Sequence, residues 1–144
     1  MRILLIDDEV RRAEALMAYF EEICEWEVEL ATDPDQAMAA VERLLAESPT
    51  VDVILLDIMM EPGSGSVVPR MLSRAGRDTG LVLLGVICEA IGRAGKKVPI
   101  IVYTARIDLQ ALHGDPRVAR YIQKPRSAIE LEKDIEDILG RLGR

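Results

Sequence analysis

Residues 3–6, 53–56 and 100–102 are continuous short apolar runs. Such runs predict parallel strands covered on both faces, and so the centre of a sheet. Glu27, Val28, Glu29 and Leu30 alternate instead, and Tyr121 and Ile122 form a short pair flanked by Arg120 and Gln123. Both read as edge strands. Between the strands, Val10, Ala13, Met17 and Phe20 recur at helical steps, as do Ala37, Met38, Val41, Leu44 and Leu45. Asp33 is the predicted N-cap of the second helix, with Pro34 at its first position. Ser127 caps the last helix, Glu130 completes a capping box, and Leu131, Ile135, Ile138 and Leu142 form its stripe. Strand and helix alternating five times predict an α/β fold with a doubly wound parallel sheet.

In such a sheet ligands bind beyond the carboxyl ends of the strands, near the point where strand order reverses. Asp7 and Asp8, Asp57, Thr104 and Lys124 all fall at those ends, although the chain separates them widely. Only this topology brings them together. The segments carrying them are Leu5 Ile6 Asp7 Asp8 Glu9, Leu55 Leu56 Asp57 Ile58 Met59 Met60, Ile101 Val102 Tyr103 Thr104 Ala105 Arg106, and Tyr121 Ile122 Gln123 Lys124 Pro125. In this order, over essentially the whole chain, they resemble the receiver domain of bacterial two-component response regulators. The resemblance implies a flavodoxin-like, CheY-like strand order 2-1-3-4-5. It also implies a signalling phosphoacceptor that catalyses only its own phosphorylation and dephosphorylation, and that takes its phosphoryl group from a histidine kinase or phosphotransfer protein.

The residue chemistry supports the same expectation. Three convergent carboxylates repel one another unless a hard divalent cation neutralises them, and Mg²⁺ takes oxygen ligands while keeping waters for a phosphate. Asp57, central in the sheet, is the candidate nucleophile, Lys124 the cation facing the transferred oxygens, and Thr104 a hydrogen-bond donor to them. By resemblance, Asp8 ligates the metal directly, Asp7 acts nearby or through water, Asp57 joins them, and the backbone carbonyl of Met59 completes the set. The Lys124–Pro125 peptide is then cis, and Thr104 and Tyr121 form a switch acting on the face of the fourth helix, fifth strand and fifth helix. Met59 and Arg106, two positions after Asp57 and Thr104, are expected to overhang the acyl phosphate and slow its hydrolysis. Two other readings compete: a Mg²⁺-dependent phosphohydrolase or phosphotransferase with an aspartyl nucleophile, and a receiver-like module that is never phosphorylated. The first normally needs an acid where Met59 stands; the intact set of five site residues opposes the second.

The chain of 144 residues fits one domain, and its 49% hydrophobic and 30% charged residues exclude disorder. A net charge of -7 disfavours direct binding to DNA or to anionic membrane. Cys24 and Cys88 lack metal-ligand spacing and read as buried free thiols. With no signal-peptide pattern and no bilayer-length apolar run, the expected location is cytoplasmic.

The stretch between Asp57 and Thr104 is longer than in a usual receiver, and the excess falls at residues 61–77, where Arg70, Arg74 and Arg77 face one acid, Glu61. This reads as a partner-specific loop or lid, or as a tolerated surface excursion. The third helix, residues 81–91, carries Glu89 as its only charge and needs cover from the insert or from a partner such as a second copy in a homodimer. The fourth helix is predicted to be short, residues 108–113, because Gly114, Asp115 and Pro116 interrupt it. His113, the sole histidine, reads as a surface residue at its end.

Overall fold

The computed structural model describes residues 1–143, apart from the side chain of residue 111. The elements run β1 (Arg2–Ile6), α1 (Val10–Glu22), β2 (Glu27–Ala31), α2 (Pro34–Ala46), β3 (Val53–Leu56), α3 (Arg70–Ser73), α4 (Thr79–Arg93), β4 (Ile100–Thr104), a 3-10 turn η1 (Gln110–Leu112), β5 (Arg120–Gln123) and α5 (Ala128–Arg141). The sheet is parallel, in the order β2-β1-β3-β4-β5, so the two patterned edge strands lie at its edges. β3 and β4 are buried along their whole length, as their unbroken apolar runs require.

Alternation along each strand divides the core. Leu4, Ile6, Ile54, Leu56, Ile100 and Val102 face α2 and α4, whereas Ile3, Leu5, Val53, Leu55, Ile101 and Tyr103 face α1 and α5. Both caps form as the sequence indicates. The Asp33 carboxylate accepts from the Gln36 amide at 2.8 Å, and the Ser127 hydroxyl accepts from the Glu130 amide at 3.2 Å. Cys24 and Cys88 are free but only part-buried, unlike the expectation, because each lies at the margin of its core cluster. Burial, assisted by Glu132, pushes the Cys24 thiol up to about 11.

The third predicted helix, α4, starts at Thr79 and is covered within the chain. Leu83, Leu84, Ile87, Ala90 and Ile91 are buried, in one core with α2, Val68, Leu109 and Leu112. Leu81, Val82, Val86 and Cys88 pack against the same core while staying part-exposed. Segment 61–77 supplies part of the cover through the fully buried Val68, and is pinned at both ends. The Ser64 amide and hydroxyl donate to the Asp35 carboxylate at 2.7 and 2.9 Å, while the Met60 amide donates to the Gly76 carbonyl at 3.1 Å.

The fourth predicted helix does not form; a single 3-10 turn stands in its place. Gly114 takes a φ of +89°, and Pro116 disfavours helical geometry in the residue before it. Leu109 and Leu112 still anchor this segment in the core.

Gly80 lets α4 approach the turn after β3. A Cβ there would lie 2.3 Å from the Asp57 carbonyl oxygen and 2.4 Å from the Ile58 Cα. Both obstacles are backbone and cannot rotate away, so Gly80→Ala is expected to lower unfolding free energy by about 2–3 kcal/mol in urea titrations.

Candidate phosphoacceptor and cation site

Backbone pairing delivers Asp7, Asp57 and Lys124 one step beyond their strands and Thr104 at the end of its own, with Asp8 one position after Asp7. The Asp7 amide donates to the Ala31 carbonyl and that of Asp57 to the Ile6 carbonyl, both at 3.0 Å; the Lys124 amide donates to the Thr104 carbonyl at 2.8 Å. Asp7, Asp57 and Thr104 are buried, and Asp8 is part-buried. Asp7, Asp8 and Asp57 each offer a carboxylate oxygen within 4.8 Å of the other two. The Lys124 ammonium donates to Asp7 at 2.6 Å and to Asp57 at 3.0 Å. The Lys124–Pro125 peptide is cis, as the resemblance implied.

Backbone amides complete the cradle: those of Glu9, Met59 and Glu61 donate to Asp7, Asp57 and Asp8 at 2.9, 3.2 and 3.4 Å. Burial raises the Asp7 carboxyl above its ordinary range, although the Lys124 bonds oppose it, and burial also raises Asp8. Burial lowers the Lys124 ammonium, but Asp57 and Asp7 outweigh that effect and its pKa ends raised. One lysine opposing three carboxylates leaves the site under-neutralised. Oxygens sharing one Mg²⁺ stand up to about 4.2 Å apart, close to the spacing present, so this hard-donor set fits that ion. A cavity of ≈ 500 Å³ opens the pocket on the α1 side, lined by Asp7, Arg12, Leu16, Tyr103, Lys124 and Arg126 among others.

Thr104 and Tyr121 meet through one residue. The Thr104 hydroxyl oxygen accepts from the Arg106 amide at 3.5 Å, and the Tyr121 hydroxyl donates to the Arg106 carbonyl. The Tyr121 ring, half-buried, lies 4.8 Å from that of His113, whose own position is at the surface as expected.

Arg106 itself departs from the expectation. Its side chain does not overhang Asp57 but turns toward segment 61–77. Its Nη1 donates to the Arg77 carbonyl and to Asp78 Oδ1, both at 2.7 Å. Its Nε and Nη2 make a bidentate pair with Asp108, both at 2.8 Å. Two nearby carboxylates and an end-of-loop carbonyl satisfy the guanidinium fork better than an already lysine-paired pocket would. Met59, the other residue expected to overhang Asp57, is exposed.

Sequence reasoning missed two contributors. Asp78 falls between the insert and the third helix expected at residues 81–91, and Tyr103 reads only as part of the segment that carries Thr104. The Tyr103 ring carries the Lys124 ammonium 5.3 Å from its centroid.

No family model and no curated protein matches the chain. Solved structures do. The receiver domain of Francisella response regulator 1452 superposes with a TM-score of 0.68 at 22% identity, covering 98% of each chain. A two-component response regulator from Cytophaga hutchinsonii gives 0.72 at 19% identity, covering 96% of each chain. A CheY-like receiver domain protein from Methanospirillum hungatei gives 0.70 at 22% identity, covering 97% of this chain and 94% of that one. With strand order, layering and near-complete coverage in agreement, the chain has the fold of response regulator receiver domains.

Proposed function

We propose that the protein is a phosphoacceptor response regulator, with Asp57 the acceptor. The observation that carries this reading is the trio of Asp7, Asp8 and Asp57 sharing one pocket, with Lys124 bonded to two of them. An Asp57 carboxylate oxygen attacks the phosphorus of a phosphohistidine on a histidine kinase or phosphotransfer protein. The P–O bond forms, the P–N bond breaks, and the departing imidazole nitrogen takes up a proton. Asp7, Asp8, Asp57 and the Met59 carbonyl would hold Mg²⁺, which when bound neutralises charge on the transferred oxygens. Lys124 supplies the second positive charge, and Thr104 turns its hydroxyl toward the new phosphoryl group.

That turn would release the Arg106 amide, and Tyr121 shares the same residue through the Arg106 carbonyl. Thr104 and Tyr121 thus form the switch, read out by a downstream protein on a face built from β5, α5 and the η1 segment rather than from a fourth helix. Amide exchange is expected to change around Tyr121 and η1 with a phosphoryl mimic such as beryllofluoride. Changes confined to the Asp57 pocket would remove the switch.

The acceptor reading itself is tested by intact mass after incubation with acetyl phosphate and Mg²⁺. One added phosphoryl group is expected in the wild type and none in Asp57→Ala; an unmodified wild type would defeat it.

A further inference from the structure

We propose that Tyr103 is a positioning residue for Lys124, holding its ammonium while both carboxylate partners are drawn into phosphoryl transfer. The proposal rests on the phosphoacceptor reading above. Tyr103 lies on β4 beside Thr104 but projects to the opposite face, into the core shared with α1 and α5. Its hydroxyl accepts from the Arg126 amide at 3.1 Å and donates to the Arg126 carbonyl at 3.3 Å. A phenol thus latches both backbone groups of the residue two beyond Lys124. The face of the same ring meets the Lys124 ammonium at 5.3 Å, within cation–π range.

A lysine stem is flexible, and its charge stays in place only through its contacts. In the resting site those contacts include Asp7 at 2.6 Å and Asp57 at 3.0 Å. Once an Asp57 oxygen is bonded to phosphorus, that carboxylate no longer carries a charge, and Asp7 would be shared with a bound Mg²⁺. Attraction to the Tyr103 ring depends on neither acid. The ring therefore keeps the ammonium aimed at the pocket throughout the reaction, and the latch keeps the loop that carries it in register.

Tyr103→Phe removes the latch and retains the ring; Tyr103→Met removes both while retaining apolar bulk. Adduct formation is followed by mass against acetyl phosphate concentration, with Mg²⁺ affinity measured by calorimetry and the folded fraction by circular dichroism. Losing the two hydrogen bonds of the latch is expected to lower the saturating rate about threefold in Tyr103→Phe. Losing ring and latch is expected to lower it about tenfold or more in Tyr103→Met. Mg²⁺ affinity and folded fraction should stay at wild-type values. Wild-type saturating rates in both variants would overturn the proposal, as would losses that track Mg²⁺ affinity or unfolding. If the methionine variant does not fold, the phenylalanine variant decides alone. A wild type that takes no phosphoryl group overturns the acceptor reading as well, whereas normal labelling in every variant overturns only this one.

Discussion

Lys124→Ala is expected to slow phosphorylation of Asp57 by on the order of 100-fold, the scale of losing one preorganised charge partner of a developing anion. The same substitution should destabilise the resting protein, because the ammonium is buried between Asp7 and Asp57. Without it, two buried carboxylates confront each other and Asp8 with no cation among them. Removing one partner of a buried ion pair costs about 3–5 kcal/mol. Two treatments should restore stability in urea titrations. Mg²⁺ replaces the missing positive charge, and acidification neutralises Asp7 and Asp8, whose carboxyls burial already raises. A loss of stability indifferent to both would mean that Lys124 is structural for some other reason.

Arg106→Ala should loosen segment 61–77 without removing the acceptor. The guanidinium is almost wholly buried and holds the Arg77 carbonyl, Asp78 and Asp108 together at the foot of α4. Its loss leaves the part-buried Asp78 without its closest cation, and a destabilisation of about 2–4 kcal/mol is expected. Amide exchange should rise through residues 61–78 and stay slow in β1, β3 and β4. Arg106→Lys should behave nearly as poorly, since an ammonium cannot reproduce the bidentate fork. The pH dependence has a definite sign. Arg106, more than any other group, depresses the Asp108 carboxyl to about 2, so this contribution is present above the ordinary carboxylate range and lost as pH falls through about 2. The gap between wild type and variant should therefore persist at mildly acidic pH and narrow progressively as pH falls from the ordinary carboxylate range to about 2. Unchanged exchange in residues 61–78 would show that Val68 and the Ser64–Asp35 bonds hold the segment alone.

The sheet was legible because its signals are local and redundant. Unbroken apolar runs at residues 53–56 and 100–102 permit few alternatives to central strands, and Asp33 followed by Pro34 marks a helix start. The site was legible because five chemically active residues fall at strand ends, where one topology gathers them. Arg106 was not, because its direction depends on Asp78 and the Arg77 carbonyl, which come near only when segment 61–77 folds down. The cover of α4 was ambiguous for the same reason: Val67 and Val68, between a Gly/Ser run and Pro69, carry no periodicity to show that they turn inward. The expected fourth helix failed on a matter of degree, since Gly114 and Pro116 stop it sooner than its apolar residues can extend it. Tyr103 was hidden within an apolar strand, and only the fold places Lys124 over its ring.

Chemical trapping asks whether Asp57 itself takes the phosphoryl group. After incubation with acetyl phosphate and Mg²⁺, borohydride reduces an aspartyl phosphate to homoserine, and peptide sequencing by mass locates the change. Conversion at Asp57 alone, dependent on both donor and Mg²⁺, is the expected result. No conversion, or conversion at Asp7 or Asp8 with Asp57 intact, would contradict it.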